Sequence, residues 1–246
     1  MPDDVVVGWP DVAPLRSRLF AESLGTALLV AAVVGSGIMA QRLSPHDDGL
    51  ALLENAVATG GVLLVLIATL GPISGAHFNP VVTLVDTWFG GLRGRDVAPY
   101  IAAQVAGACA GAALANLMFG LSAVTISTHV RSGSGILLSE VVATFGLLLL
   151  ILGLVRGGRS PWIAPAVAAY IVGAYWFTAS TSFANPAVTV GRTLSNTFAG
   201  IAPQSVPGFV LAQLVGGVIA VGATVLLWPR HSTRRPVALD VVEETR

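Results

Sequence analysis

Two short stretches carry the residue types that could do chemistry, and they say nearly the same thing. They are Ser74-Gly75-Ala76-His77-Phe78-Asn79-Pro80-Val81-Val82-Thr83 and Thr181-Ser182-Phe183-Ala184-Asn185-Pro186-Ala187-Val188-Thr189. Neither holds a nucleophile beside a base, and no metal-ligand cluster or phosphate loop stands elsewhere in the chain, so no enzyme and no cofactor is expected. What the pair offers is hydrogen bonding. An Asn followed by Pro starts a helix, because the Asn oxygen caps free backbone N–H groups and Pro at the first helical position has no N–H to leave unpaired. The apolar runs that follow, Val81 to Trp88 and Ala187 to Phe198, are two or three turns long, too short to cross a bilayer. They read as half-helices.

Two acids inside apolar runs, Glu22 and Glu140, are the other candidates, since a carboxylate within a membrane span is expensive. Either they relay protons in a coupled transporter, or they accept hydrogen bonds from backbone N–H groups of a neighbouring loop. His77 could act as a pH-dependent gate. The one cysteine, Cys109, excludes an internal disulfide and a thiolate metal site within one chain.

The elements that must position these residues are membrane helices. Apolar residues make up 54% of the chain and charged residues only 11%, with a mean hydropathy of +0.79, which excludes the ordinary soluble classes. Six stretches are long enough to span, about 18 to 40, 51 to 71, 97 to 119, 136 to 156, 162 to 180 and 207 to 228. The expected organisation is a tail over 1–15, one domain over 16–228 made of repeats 16–120 and 136–228, and a charged tail over 229–246. Small residues such as Gly107 and Gly111 mark close helix contacts. All 13 basic residues are Arg and none forms a patch for nucleic acid. Arg16, Arg18, Arg93, Arg95, Arg156, Arg159, Arg230, Arg234 and Arg235 fall on one side when six spans are threaded in turn, so both termini are expected in the cytoplasm. The acidic start, Asp3 and Asp4, does not look like a secretory signal. The connections 42–49 and 122–135 then read as ordinary outer loops, with His46, Asp47, Asp48 and His129 solvated.

The halves repeat. Glu22 opens span one and Glu140 span four, Asn79 and Asn185 follow at comparable distances, and Gln104 and Gln213 each precede a Gly by three. An odd number of spans per repeat makes the copies antiparallel, so the two half-helices enter from opposite sides and meet near the midplane. The expected fold class is therefore all-α membrane, six transmembrane helices plus two re-entrant half-helices in an inverted 3+3 repeat.

Glu22-x-x-x-Thr26, the Ser74 to Thr83 motif and a second Asn-Pro-Ala at inverted topology together resemble the aquaporin (major intrinsic protein) family over roughly residues 15 to 228. The resemblance implies a passive channel for neutral solutes, a homotetramer in the lipid bilayer of the bacterial inner membrane, and a pore motif of Asn79, Pro80, Val81, Asn185, Pro186 and Ala187. It implies pore-lining carbonyls at Gly75, Ala76, His77, Thr181, Ser182 and Phe183, and loop-supporting roles for Glu22 and Glu140. Opposed helix N-termini would place about half a positive charge each at the pore centre, repelling cations.

The family's narrowest ring usually includes an aromatic residue and an Arg directly after the second motif. Here that Arg is Val188, and ungapped counting matches the other positions to Thr59, Gly173 and Ser182, which predicts a wide, weakly polar opening. The run from Ser182 to Ile201 looks like the bacterial aquaglyceroporin branch associated with arsenic resistance, which implies glycerol-sized polyols, arsenite as As(OH)3 and, beside them, water. A proton-coupled transporter and a closed structural membrane protein are the alternatives. Arg192, one turn beyond Val188, either reaches back to restore a cation at the outer mouth or runs outward to lipid phosphate or Asp47. The matching position in the first repeat is Asp86.

Overall fold

The computed structural model describes residues 13–229, so residues 1–12 and the tail bearing Arg230, Arg234 and Arg235 lie outside it. Among the described residues the chain is all helical. The order is α1 (Leu15–Leu43), α2 (Asp48–Ser74), α3 (Pro80–Trp88), α4 (Gly94–Met118), α5 (Ser134–Arg156), α6 (Ile163–Phe177), α7 (Pro186–Gly191) and α8 (Val206–Leu227). α1 packs on α2 and α4 as α5 packs on α6 and α8, α3 lies on α4 as α7 lies on α8, and α2 against α6 joins the halves. This is the inverted repeat that the doubled motif implies.

Five helices are long and apolar enough to cross a membrane by themselves. α6 is the exception, with 15 residues or roughly 22 Å of rise. A 3₁₀ turn over Ser160–Trp162 extends it at its start. It ends at Phe177, short of the expected residue 180, because Thr178 turns extended and its hydroxyl donates back to the Ala174 carbonyl at 2.6 Å.

The half-helices differ. α3 fills its expected range, whereas α7 stops at Gly191, tightens into a 3₁₀ turn over Arg192–Leu194 and gives way to irregular chain before Phe198. The last residue of α7 is closely packed on α4: a Cβ on Gly191 would stand 2.7 Å from the Ala108 carbonyl oxygen. The small-residue pair on α4 does what its spacing predicts: a Cβ on Gly107 or Gly111 would stand 2.2 or 2.1 Å from the backbone oxygens of Ser23 and Ala27 on α1. Large apolar side chains such as Leu53, Val57, Leu211, Val218 and Leu226 face outward, as they must on a surface that lipid covers.

The connection 122–135 is largely exposed, His129 included, as expected of an outer loop, but it is also tied down. Thr125 and Ser127 donate their N–H groups to the carbonyls of Leu194 and Thr193, and the Arg131 Nε donates to Gly200 O at 2.9 Å. It packs on the chain after α7. The connection 42–49 is exposed apart from Ser44, and Asp47 caps α2 by accepting from Leu50 N at 2.9 Å.

Candidate functional site

Each motif Asn caps its own half-helix and clasps the other. The Asn79 Oδ1 accepts from Val81 N at 2.9 Å, and the Asn185 Oδ1 from Ala187 N at 3.0 Å and Val188 N at 3.2 Å. With the oxygens so held, the amide nitrogens point across the repeat axis, Asn79 Nδ2 to Ala184 O and Asn185 Nδ2 to Phe78 O, both at 2.7 Å. Each amide keeps a second N–H, and both Asn residues border a common cavity. Pro80 and Pro186 hold the first helical positions, and Val81 and Ala187 are buried behind them.

The segments leading to the two Asn residues are strained. Ala76 and Phe78 in the first, and Thr181, Ser182 and Ala184 in the second, have φ between 49° and 61°, a left-handed region that L side chains rarely adopt. Carboxylates hold them there. Glu22 accepts from His77 N at 2.9 Å and Phe78 N at 2.7 Å, and also from Ser74 Oγ and Gln104 Nε2, both at 2.7 Å. Glu140 accepts from Phe183 N and Ala184 N at 2.9 Å and from Gln213 Nε2 at 2.6 Å. The same two Gln amides then donate to Thr83 Oγ1 and Thr189 Oγ1 at 2.9 and 3.0 Å, tying each loop to its half-helix. Both acids are fully buried, and all these donors address their carboxylate oxygens.

The cavity has a volume of about 670 Å³ and runs along both half-helices, from Asp86, Phe89 and Arg156 at one end to Val188 and Arg192 at the other. Its wall is largely aliphatic, with Val33, Leu63, Leu147 and Ile171 among its residues, and Gly75, Ala76, His77, Ser182 and Phe183 also border it. Thr181 does not; its N–H turns back to Thr178 O at 3.2 Å. The His77 ring is held by Thr83 Oγ1 at 3.1 Å from Nδ1 and by Asp86 Oδ2 at 3.5 Å from Nε2. Ser182 Oγ is buried on this wall without a hydrogen-bond partner.

One ring position is corrected. Thr59, Ser182 and Val188 border the cavity, but Gly173 is exposed on the outer face of α6 and a Cβ there would meet nothing. Tyr175 borders the cavity instead, with its hydroxyl 3.2 Å from Thr59 Oγ1. Two residues turn a helix by about 200°, so positions 173 and 175 face opposite ways, while Ile171, one turn back, shares the face of Tyr175. The wall therefore carries an aromatic hydroxyl that ungapped counting missed. The signal was available: a Tyr amid apolar residues needs a partner for its polar tip.

Arg192 turns inward. It is 3% exposed and borders the cavity, its Cζ lies 3.4 Å from the centroid of the Phe183 ring, and its Nε donates to the Ala199 carbonyl. Asp47 is engaged at the α2 cap, and among the described residues no ion pair links it to Arg192. Arg131, in the connection 122–135, brings its Cζ to 5.3 Å from the same ring. Burial of Arg131 pushes its guanidinium pKa below the ordinary value. Nothing in its own loop marks it; only the packing of 122–135 on the chain after α7 brings it there. Cys109 is half-buried on α4 and does not border the cavity.

Comparisons with known proteins agree with this geometry. Residues 11–180 match the family described as Major intrinsic protein. The chain is 57% identical to the aquaglyceroporin AqpS of Rhizobium meliloti, over 94% of this chain and 97% of that protein. It is 33% identical to the probable aquaporin AqpM of Archaeoglobus fulgidus, over 84% of this chain and 94% of that one. Its fold matches the X-ray structure of the aquaglyceroporin from Plasmodium falciparum with a TM-score of 0.66 at 20% identity, covering 85% of this chain and 95% of that one.

Proposed function

The chain belongs to the major intrinsic protein family, whose members are membrane channels, and we propose that its cavity conducts glycerol-sized polyols and arsenous acid passively across the bacterial inner membrane. The observation that carries this reading is the single cavity shared by two opposed half-helix N-termini, each with one Asn amide N–H left over beside a largely aliphatic wall. Two helix N-termini of about half a positive charge each disfavour a cation at that point and leave a neutral hydroxylated solute unpenalised. The similarity to an aquaglyceroporin supports the polyol class.

Arsenous acid, As(OH)3, is an uncharged triol of glycerol's size, so the same contacts serve both. A solute hydroxyl accepts from Asn79 or Asn185 and donates to the carbonyls of Gly75, Ala76 and His77 or of Ser182 and Phe183, with the unpartnered Ser182 hydroxyl beside them. Thr59, Tyr175, Ser182 and Val188 form the narrowest ring in this reading, and their mixed apolar and hydroxyl character suits a solute with a carbon or arsenic face. The end of the bundle at which α1 begins and α8 ends is cytoplasmic, by the Arg distribution, and the assembly is a homotetramer.

Glu22 and Glu140 serve as hydrogen-bond acceptors rather than proton relays, because each carboxylate is already occupied by three or four donors. Stopped-flow light scattering of proteoliposomes against glycerol, arsenite and an impermeant osmolyte tests the solute class. Glycerol and arsenite flux well above that of empty liposomes supports it; water flux alone would restrict the protein to a water channel.

A further inference from the structure

Residue 188, directly after the second motif, contributes no charge to the cavity wall, yet the wall does hold a guanidinium. Arg192 lies one turn further along, where α7 tightens into its 3₁₀ turn, and its side chain folds back over Phe183 to border the cavity. Among the described residues the one hydrogen bond of its side chain runs from Nε to Ala199 O, so both terminal nitrogens remain for the cavity.

We propose that Arg192 is a specificity-determining residue: stacked on Phe183 at one mouth of the cavity, it supplies the fixed positive charge that keeps protons and metal cations out where Val188 supplies none. This rests on the channel reading above.

Three features support the assignment. Phe183 is itself fixed, since its N–H donates to Glu140 at 2.9 Å and its ring meets Phe209 edge-on at 5.0 Å, so the guanidinium stacks on a rigid platform. The charges nearby sum to a positive site, because Arg192 and Arg131 face one ring and Glu140 is the carboxylate beneath it. The corresponding position of the first repeat, Asp86, also borders the cavity but carries the opposite sign and pairs with His77 at 3.5 Å. Arg156 stands over the Phe89 ring at the Asp86 end, so that mouth carries both signs, whereas the end beyond Val188 offers an entering cation an unpaired guanidinium in a low-dielectric wall.

The test measures valinomycin-clamped proton flux and glycerol swelling in the same proteoliposomes. Arg192→Gln ends at the level of the arginine Nε, so it keeps a donor for Ala199 but loses the terminal nitrogens and the charge. It is expected to raise proton leak on the order of tenfold while leaving glycerol flux within about twofold. Adding Val188→Arg to Arg192→Gln puts a cation back one turn away and should return the leak to the wild-type level, which no purely structural role for Arg192 would allow. Equal leak in wild type and Arg192→Gln, with glycerol flux intact, overturns the proposal and leaves Arg192 as a tie between α7 and Ala199. If Arg192→Gln does not assemble, Arg192→Lys decides: wild-type leak supports the proposal and raised leak overturns it. Absence of both glycerol and water flux from wild-type vesicles would overturn the channel reading itself.

Discussion

The hydroxyls of Thr59 and Tyr175 lie 3.2 Å apart, joining α2 of one repeat to α6 of the other across the cavity wall. The pair is buried, and each group satisfies the other, so the contact fixes the width of the wall between the two helices at that level.

Replacing Tyr175 with Ala removes that bulk and frees the Thr59 hydroxyl. Swelling assays with a series of polyols should then show longer members, excluded by the wild type, passing through. Gly173→Leu points at lipid and should leave the whole series unchanged. A shift in the series for Gly173→Leu and none for Tyr175→Ala would return the ring position to 173.

Glu22→Gln puts an amide nitrogen among four converging donors and leaves at least one buried N–H without an acceptor. The cost is about 2–4 kcal/mol, read as a lower thermal unfolding midpoint in detergent. Glu140→Gln should behave alike, because its donors repeat the pattern. Unchanged stability combined with lost pH-driven transport would make these acids proton carriers.

Mercurials should not block solute flux. Cys109 is the only thiol and sits half-buried on α4, away from the cavity wall. Rapid inhibition that disappears in Cys109→Ser would require α4 to present that residue to the pore.

Much of this was legible in the sequence because membrane burial is written in runs of composition, and the two Asn-Pro caps announce half-helices whatever surrounds them. The Glu22–Gln104 and Glu140–Gln213 partnerships follow from a repeat visible in the letters. What was not legible depends on phase and on long-range packing. Counting back from Asn185 without gaps could not know that α6 ends at Phe177 and that its cavity face carries Ile171 and Tyr175. Nor could the residues of α7 reveal that the helix tightens at Arg192, which sets where that side chain goes. Arg131 reaches Phe183 only because the 122–135 connection folds onto the chain after α7.

Initial rates of glycerol entry into proteoliposomes, measured over a wide range of concentration with and without a protonophore, test the central claim most directly. A passive channel gives rates that rise linearly with the gradient and ignore the protonophore. Rates that saturate at low concentration and collapse when the proton gradient is dissipated would contradict it and make the protein a coupled carrier.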